Sequence, residues 1–308
     1  MTKPVLRIGT RGSALALAQS AAVGAQLVDS SGGSVDLVRV KTEGDINTGP
    51  LAAIGGTGVF VTAVRAALLD GRVDLIVHSF KDLPTAPAPG LVLAAVPERE
   101  NPFDALCARD QLTLSTLPAG ARVGTGSPRR IAQILLHRPD LVVLPVRGNV
   151  DTRLKLVSSG SFDAVVLAVA GLARLGRTAE ITEVFGPAVM LPAPAQGALA
   201  IECRESDMQT AWYAAALALL DRADSRAAAA AERSLLATLE AGCIAPVGAH
   251  ATVADETLTL RGAVIAVDGS EQIAGESSGP VADAAELGKE LAADLLSRGA
   301  MVLLGAAR

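Results

Sequence analysis

Two short segments place glycine, a hydroxyl and arginine where a strand-like run hands over to a helix-like one. Gly124-Thr125-Gly126-Ser127-Pro128-Arg129-Arg130 is the sharper, and Thr10-Arg11-Gly12-Ser13 repeats it with a single arginine. Glycine permits a tight turn, serine can cap the helix, and Pro128 suits the first helical position. A helix start offers unsatisfied N–H groups and the positive end of its dipole to an anion. Two arginines in that first turn oppose the dipole unless an anion is present, so Arg129 and Arg130 point to an anionic ligand. Neither segment has the Gly-Lys-Ser/Thr ending of a phosphate-binding P-loop. Arg147 and Arg153 flank a Gly-Asn turn after another apolar run, and Arg174 follows the run Val165 to Ala170. In a parallel sheet, Arg11, Arg129, Arg147 and Arg174 share the carboxyl edge where open α/β sheets bind ligands. Bidentate guanidinium forks there suit a ligand with several carboxylates. The alternative is a scatter of solvated surface arginines.

His78-Ser79-Phe80-Lys81-Asp82-Leu83-Pro84-Thr85 directly follows a buried apolar run. Asp82, beside Lys81, falls at the same edge, where a carboxylate can move a proton or stabilise a developing cation. A plain turn aspartate is the competing reading, and His78 reads as packing at the strand end. Leu239-Glu240-Ala241-Gly242-Cys243-Ile244-Ala245-Pro246-Val247-Gly248 puts Cys243 in a Gly/Pro-rich loop after a helix. A loop thiol can be reached by an electrophile, whereas a small buried cysteine needs no function. Cys107 and Cys203 lie in strand-like runs and read as core. His78, His137 and His250 lie far apart and make no metal-ligand spacing, so no metal site is expected.

The elements that must position these residues alternate. Val5 to Gly9 reads as a strand, Ala14 to Asp29 as a helix, Val35 to Val40 as a strand, Val59 to Asp70 as a helix and Asp74 to Val77 as a buried strand. This rhythm predicts an α/β fold with a mostly parallel sheet. The pattern then restarts. Arg7-Ile8-Gly9-Thr10 recurs as Arg122-Val123-Gly124-Thr125, and Gly71-Arg72-Val73-Asp74-Leu75-Ile76-Val77 is echoed by Gly160-Ser161-Phe162-Asp163-Ala164-Val165-Val166. Two echoes in the same order predict two similar α/β domains. Pro97 to Pro102 and Leu191 to Gly197 read as extended linkers, because residues before proline avoid the helical region. Beyond Leu220 come an Ala-rich helix (Ser225 to Leu239), two strands (Leu258 to Arg261 and Ala263 to Val267), a turn at Asp268-Gly269 and an amphipathic helix (Asp283 to Ser297), which together read as a smaller α+β unit.

Composition narrows the function. At 308 residues, two or three domains are expected. The formal net charge is −5 and only seven residues are aromatic (five Phe, one Tyr, one Trp), which argues against a nucleic-acid partner. Three cysteines are too few for a disulfide framework, so a cytoplasmic setting is expected. No run reaches the roughly 18 apolar residues of a membrane span. The apolar stretch Ala14 to Val28 could mimic a secretory signal, but a strand and turn precede it. Of the 27 basic residues 22 are arginine, an excess that codon usage and anion recognition could both explain.

The carriers of a family likeness are Ile8-Gly9-Thr10-Arg11-Gly12-Ser13, His78 to Pro84, Gly124 to Arg130, Arg147-Gly148-Asn149, Pro192-Ala193-Pro194-Ala195-Gln196-Gly197 and Leu239 to Cys243. With these six ordered motifs, spanning about Leu6 to Ala251, the chain resembles the porphobilinogen deaminase (hydroxymethylbilane synthase) family of tetrapyrrole biosynthesis. The resemblance implies a transferase that condenses four porphobilinogen units in turn, with loss of ammonia, onto a covalent dipyrromethane. Hydrolysis then releases hydroxymethylbilane. It implies two similar domains of the type II periplasmic-binding-protein kind, 1–98 with 198–218 and 103–192, plus a smaller C-terminal α+β domain, 220–308. Dipyrromethane is expected on Cys243, and Asp82 matches the catalytic carboxylate that would face pyrrole N–H groups and the cation left when ammonia departs. Arg11, Ser13, Lys81, Thr125, Ser127, Arg129, Arg130, Arg147, Arg153, Arg174 and Gln196 match cofactor- and substrate-binding positions, and Phe60 a lid residue. A cytoplasmic monomer with no nucleic-acid or membrane partner is the family expectation.

The chain departs from the common pattern at Thr57 and Thr62, where many relatives have lysine, and at Gly126, a frequent serine. Two other readings share some features. A two-domain solute receptor has no use for Cys243 or a third domain, and a phosphotransfer enzyme lacks its Lys-Ser/Thr motif.

Overall fold

The computed structural model describes residues 4–41, 58–241 and 245–305. In chain order the elements are β1 (Val5–Thr10), α1 (Ala14–Ser31), β2 (Ser34–Arg39), α2 (Gly58–Leu69), β3 (Leu75–Ser79), β4 (Leu91–Ala95), β5 (Asp104–Ala108), β6 (Arg122–Gly124), α3 (Pro128–His137), β7 (Val142–Leu144), α4 (Val150–Ser158), β8 (Ala164–Ala168), α5 (Val169–Arg174) and β9 (Glu183–Val184). They continue as β10 (Leu199–Arg204), α6 (Asp207–Thr210), α7 (Ala214–Leu220), α8 (Ala223–Thr238), β11 (Val247–Ala254), β12 (Thr257–Ile265), β13 (Gln272–Pro280), α9 (Ala284–Ser297) and α10 (Ala300–Gly305).

The chain divides into two compact units, Met1–Arg99 with Ala198–Arg226, and Glu100–Gly197 with Ala227–Arg308. The first holds a five-stranded sheet of order β2-β1-β3-β10-β4. Its core joins Leu6, Ile8, Leu75 and Ile201 on the strands to Val23 and Leu27 on α1 and Leu217 on α7. α2 covers the sheet through Val64, Ala67 and Leu68, which recur at helical spacing on one face.

The second unit contains a sheet of order β7-β6-β8-β5-β9. The two orders correspond strand for strand, so the internal repeat and the two similar α/β halves are real features of the fold. The repeat is kept by one shared contact. The Asp74 carboxylate accepts from Arg7 N–H at 2.8 Å, and Asp163 accepts from Arg122 N–H at 2.7 Å. In return Asp74 N–H donates to the Arg7 carbonyl and Asp163 N–H to that of Arg122. Each aspartate thus locks the entry of a central strand to its neighbour.

Each five-stranded sheet is mostly parallel, as expected, with a single strand reversed. β1, β2 and β3 run parallel, but β10 is antiparallel to both β3 and β4. β5 is likewise antiparallel to β8 and β9. Local sequence carries no sign of this, because β10 enters the first sheet after a whole second sheet has been built.

The second unit also holds a three-stranded antiparallel sheet, β11-β12-β13, packed on α8 and α9 through Leu235, Leu260, Val264, Leu291 and Leu295. The two expected strands Leu258 to Arg261 and Ala263 to Val267 are one strand, β12, which continues through Gly262. A Cβ there would come within 2.7 Å of Leu235 Cδ2 and 3.1 Å of Leu291 Cδ2. Gly262 is therefore a seat for the two helices and not a break between strands.

Candidate active site

In the first unit the turn after β1, the start of α1 and the end of β3 enclose a cleft of about 570 Å³, open to solvent. Its lining includes Arg11, Ser13, Gln19, Val61, His78, Ser79 and Asp82. Ser13 is the N-cap of α1, and its hydroxyl accepts from Ala16 N–H at 3.2 Å. Asp82 ends a 3-10 turn, Phe80–Asp82, that follows β3 without a gap. Phe80 and Leu83 are buried on either side of the half-buried Lys81 and Asp82. Phe80 N–H donates to the Ala198 carbonyl at 3.0 Å and Leu83 N–H to that of Phe80. Two apolar anchors and two backbone bonds thus fix the turn while its polar residues stay at the rim. Three expected site residues, Arg11, Ser13 and Asp82, come together here, with Lys81 in the same turn.

The second unit gathers most of the remaining arginines. Asp104, fully buried at the start of β5, lies 2.8 Å from Arg129 Nη2 and 2.7 Å from Arg130 Nη2. Arg130 also donates to the Val166 carbonyl at 2.8 Å, and Arg129 to that of Leu191 at 2.6 Å. The anion that the first turn of α3 calls for is therefore present as an internal carboxylate. Burial, with the neighbouring Arg130 charge, lowers the Arg129 pKa in spite of Asp104. Gln196 donates to Asp104 Oδ1 at 2.9 Å and to the Pro102 carbonyl at 2.8 Å. Arg174 closes the short helix α5 instead of following a strand directly, and donates to the Gly197 carbonyl at 2.6 Å. Gly197 has φ +88, and a Cβ on it would run into the Glu100 carbonyl, so only glycine serves there.

Arg153 on α4 donates to the Gly148 carbonyl at 3.0 Å. Burial first, then the charges of Arg130 and Arg147, push its guanidinium down to about 10. One buried carboxylate thus answers two guanidiniums, and the two charges acting on Arg153 are both positive. Ser127 holds the N-cap position of α3, but its hydroxyl makes no capping bond, contrary to the expectation. Its N–H instead donates to Thr125 Oγ1 at 3.3 Å. Phe60 lies in α2, in a stretch whose side chains are not described, and Thr57 and Cys243 fall outside the described residues. Among the described residues no His, Cys, Asp or Glu cluster could hold a metal.

Residues 6–212 match the family model described as "Porphobilinogen deaminase, dipyromethane cofactor binding domain", and residues 227–297 match that family's C-terminal domain. The chain belongs to the porphobilinogen deaminase family. It is 54% identical to the porphobilinogen deaminase of Nocardia farcinica, covering 97% of this chain and 88% of that protein. It is 51% identical to that of Thermobifida fusca (97% and 96%), and 52% identical to that of Mycobacterium tuberculosis strain H37Rv (99% and 100%). Among solved structures it is similar to a periplasmic substrate-binding protein of an ABC transporter from Coxiella burnetii, with 14% identity, 70% and 91% coverage and a TM-score of 0.44.

The family's function is tetrapyrrole-forming transfer with porphobilinogen as substrate and dipyrromethane as cofactor. The donor set fits that cofactor. Each pyrrole ring carries an acetate and a propionate, and the arginine group around Arg130, Arg147 and Arg153 brings like charges together at a cost that such carboxylates offset.

Sequence reading passed over three residues that organise these sites. Asp104 stands just after the proline-bracketed linker. The unexplained Arg129-Arg130 pair was its signal, because it required an anion. Glu202 is an acid inside the apolar strand β10, and both Arg65 and His78 bond to it. Glu232 is the fully buried acid of the Ala-rich helix α8 and accepts from Ala195 N–H at 2.6 Å and Ala251 N–H at 2.7 Å. Ala195 has φ +60, so this carboxylate holds a strained turn in the Pro192–Gly197 segment.

Glu202 gives a pH prediction. Burial alone would raise its carboxyl, but the hydrogen bonds from His78 and Arg65 outweigh burial and hold it at about 2, against an ordinary value of 4.5. Its contribution is complete above pH 4.5 and is lost as the pH falls from there through about 2. This is worth on the order of 3 kcal/mol. Urea unfolding should show the parent losing stability over this window faster than Glu202→Gln, and equal slopes would contradict the assignment.

Proposed function

We propose that Asp82 is the catalytic carboxylate of this transferase and that Cys243 carries its dipyrromethane. Supporting the first is one observation: Asp82 lines the same cleft as Arg11 and Ser13. A porphobilinogen carboxylate held by Arg11 leaves the aminomethyl group within the cleft that Asp82 lines. The Asp82 carboxylate then stabilises the positive charge that develops on substrate as ammonia leaves. Lys81, next to it, offers a further cation to the substrate carboxylates. Arg129, Arg130, Arg147, Arg153 and Arg174, with Thr125, Ser127 and Gln196, hold and orient the carboxylates of the bound chain. Phe60 takes the lid role that the family likeness implies. When bound, dipyrromethane supplies the ring carbon to which the first of four units is joined, and it stays on the enzyme when hydroxymethylbilane is released.

The three-domain division, 1–98 with 198–218, 103–192 and 220–308, is part of this reading. The family matches, which leave 213–226 between them, support its last boundary. A cytoplasmic monomer without nucleic-acid or membrane partners completes it, in keeping with a net charge of −5. None of the described helices is long and apolar enough to cross a membrane.

Intact mass tests the anchor. The purified parent should exceed its sequence mass by a dipyrrole and colour with a pyrrole reagent, and Cys243→Ser should have the bare mass. An active parent of bare mass, or an adduct retained on the variant, refutes the assignment.

A further inference from the structure

His78 stands in the wall of the cleft that holds Arg11 and Asp82, with its side chain only 9% exposed. It pairs with Ala200 in the antiparallel ladder, so Glu202 lies diagonally across on the same face of the sheet. His78 Nε2 is 3.1 Å from Glu202 Oε2. Arg65 reaches over from α2 and binds both oxygens of that carboxylate, with Nε to Oε2 at 2.9 Å and Nη2 to Oε1 at 2.7 Å. An ionised carboxylate only accepts hydrogen bonds, so the ring proton facing it belongs to Nε2, and the neutral imidazole keeps its lone pair on Nδ1. Packing at a strand end does not require this chain, because apolar side chains of similar size are often as stabilising as a buried ion pair. An imidazole oriented by a fixed carboxylate is the arrangement of a base.

We propose that His78 is the proton carrier of the cleft, oriented by Glu202 and Arg65. The proposal rests on the deaminase reading above and deepens it. Each condensation breaks the C–N bond of the substrate's ammoniomethyl group and a C–H bond of the ring carbon it joins, and forms one C–C bond. The C–N electron pair leaves with ammonia. The C–H pair stays in the ring, and one proton is left over. His78 Nδ1 takes that proton and passes it to the ammonia, which departs as ammonium, so charge and atoms balance without an oxidant or reductant. Among the described residues, Glu202 from β10 bonds to the imidazole and Arg65 from α2 to that same carboxylate, while Arg11 from the turn after β1 and Asp82 from the turn after β3 are the charged groups that line the cleft with His78.

Two measurements test this on the purified protein. Nitrogen-15 NMR of the parent reads the tautomer, and neutral His78 is expected with its proton on Nε2. A proton on Nδ1 overturns the proposal whatever the activity. His78→Gln keeps a donor for Glu202 but has no base. Its turnover of porphobilinogen should fall about 10²-fold with KM and dipyrrole mass unchanged. Turnover like the parent's overturns the proposal. Should His78→Gln fail to fold, the parent's tautomer still decides. A parent that forms no tetrapyrrole from porphobilinogen refutes the deaminase reading instead, so the two failures are distinct.

Discussion

Asp82→Asn lowers the turnover of porphobilinogen by about 10²–10³-fold and leaves the dipyrrole in place. The substitution keeps the shape and hydrogen-bonding reach of the side chain and removes only its negative charge. Loss of ammonia leaves positive charge on a small aromatic ring, and Asp82 is the carboxylate that this reading sets against it. The half-buried position beside buried Phe80 and Leu83 matters. A carboxylate partly removed from water interacts with a developing charge more strongly than a solvated one. The turn itself depends on Phe80 and Leu83 and on backbone bonds, none of which the variant touches, so folding should be preserved. Steady-state kinetics with intact mass decides the matter, and near-parent turnover with the adduct present would remove Asp82 from the mechanism.

Asp104→Ala costs about 3–5 kcal/mol of stability. Asp104 is bound to the guanidiniums of both Arg129 and Arg130, which are nearly fully buried, and it also accepts from Gln196. Removing it leaves two buried cations facing each other without that carboxylate, and takes one of its two acceptors from the Gln196 amide. Burial already lowers the Arg129 pKa with Asp104 in place, and the Asp104 charge is what opposes that shift. The effect reaches β5, the start of α3 and the Pro192–Gly197 segment together, so a cooperative loss is expected and not a local fraying. Urea denaturation of parent and variant measures it. A midpoint within error of the parent's would mean that the arginines find other partners.

Much of the fold is legible in the sequence. The echo of Arg7-Ile8-Gly9-Thr10 in Arg122-Val123-Gly124-Thr125 was visible because each half needs the same strand entry, locked by Asp74 or Asp163. The helices α1, α2 and α9 followed from 3.6-residue apolar spacing, which local sequence encodes directly. The β12 strand was misread as two because glycine inside a strand looks like a break, and only the packed positions of Leu235 and Leu291 explain Gly262. Ser127 was misjudged for a related reason. Its type and place suit a cap, but whether a hydroxyl turns toward its own helix depends on what surrounds it.

By itself the sequence determined the family, the alternation of strand and helix, and the segments bearing Arg11, Asp82, the Arg129-Arg130 pair and Cys243. These are properties of short contiguous stretches, and six such stretches in order are specific. Tertiary structure alone decided which charges meet. Asp104 serves Arg129 and Arg130, Glu202 serves His78 and Arg65, and β10 enters its sheet antiparallel. In each case the partners are far apart in the chain, and an ion pair between them exists only once the backbone has brought them within 3 Å or so and excluded water.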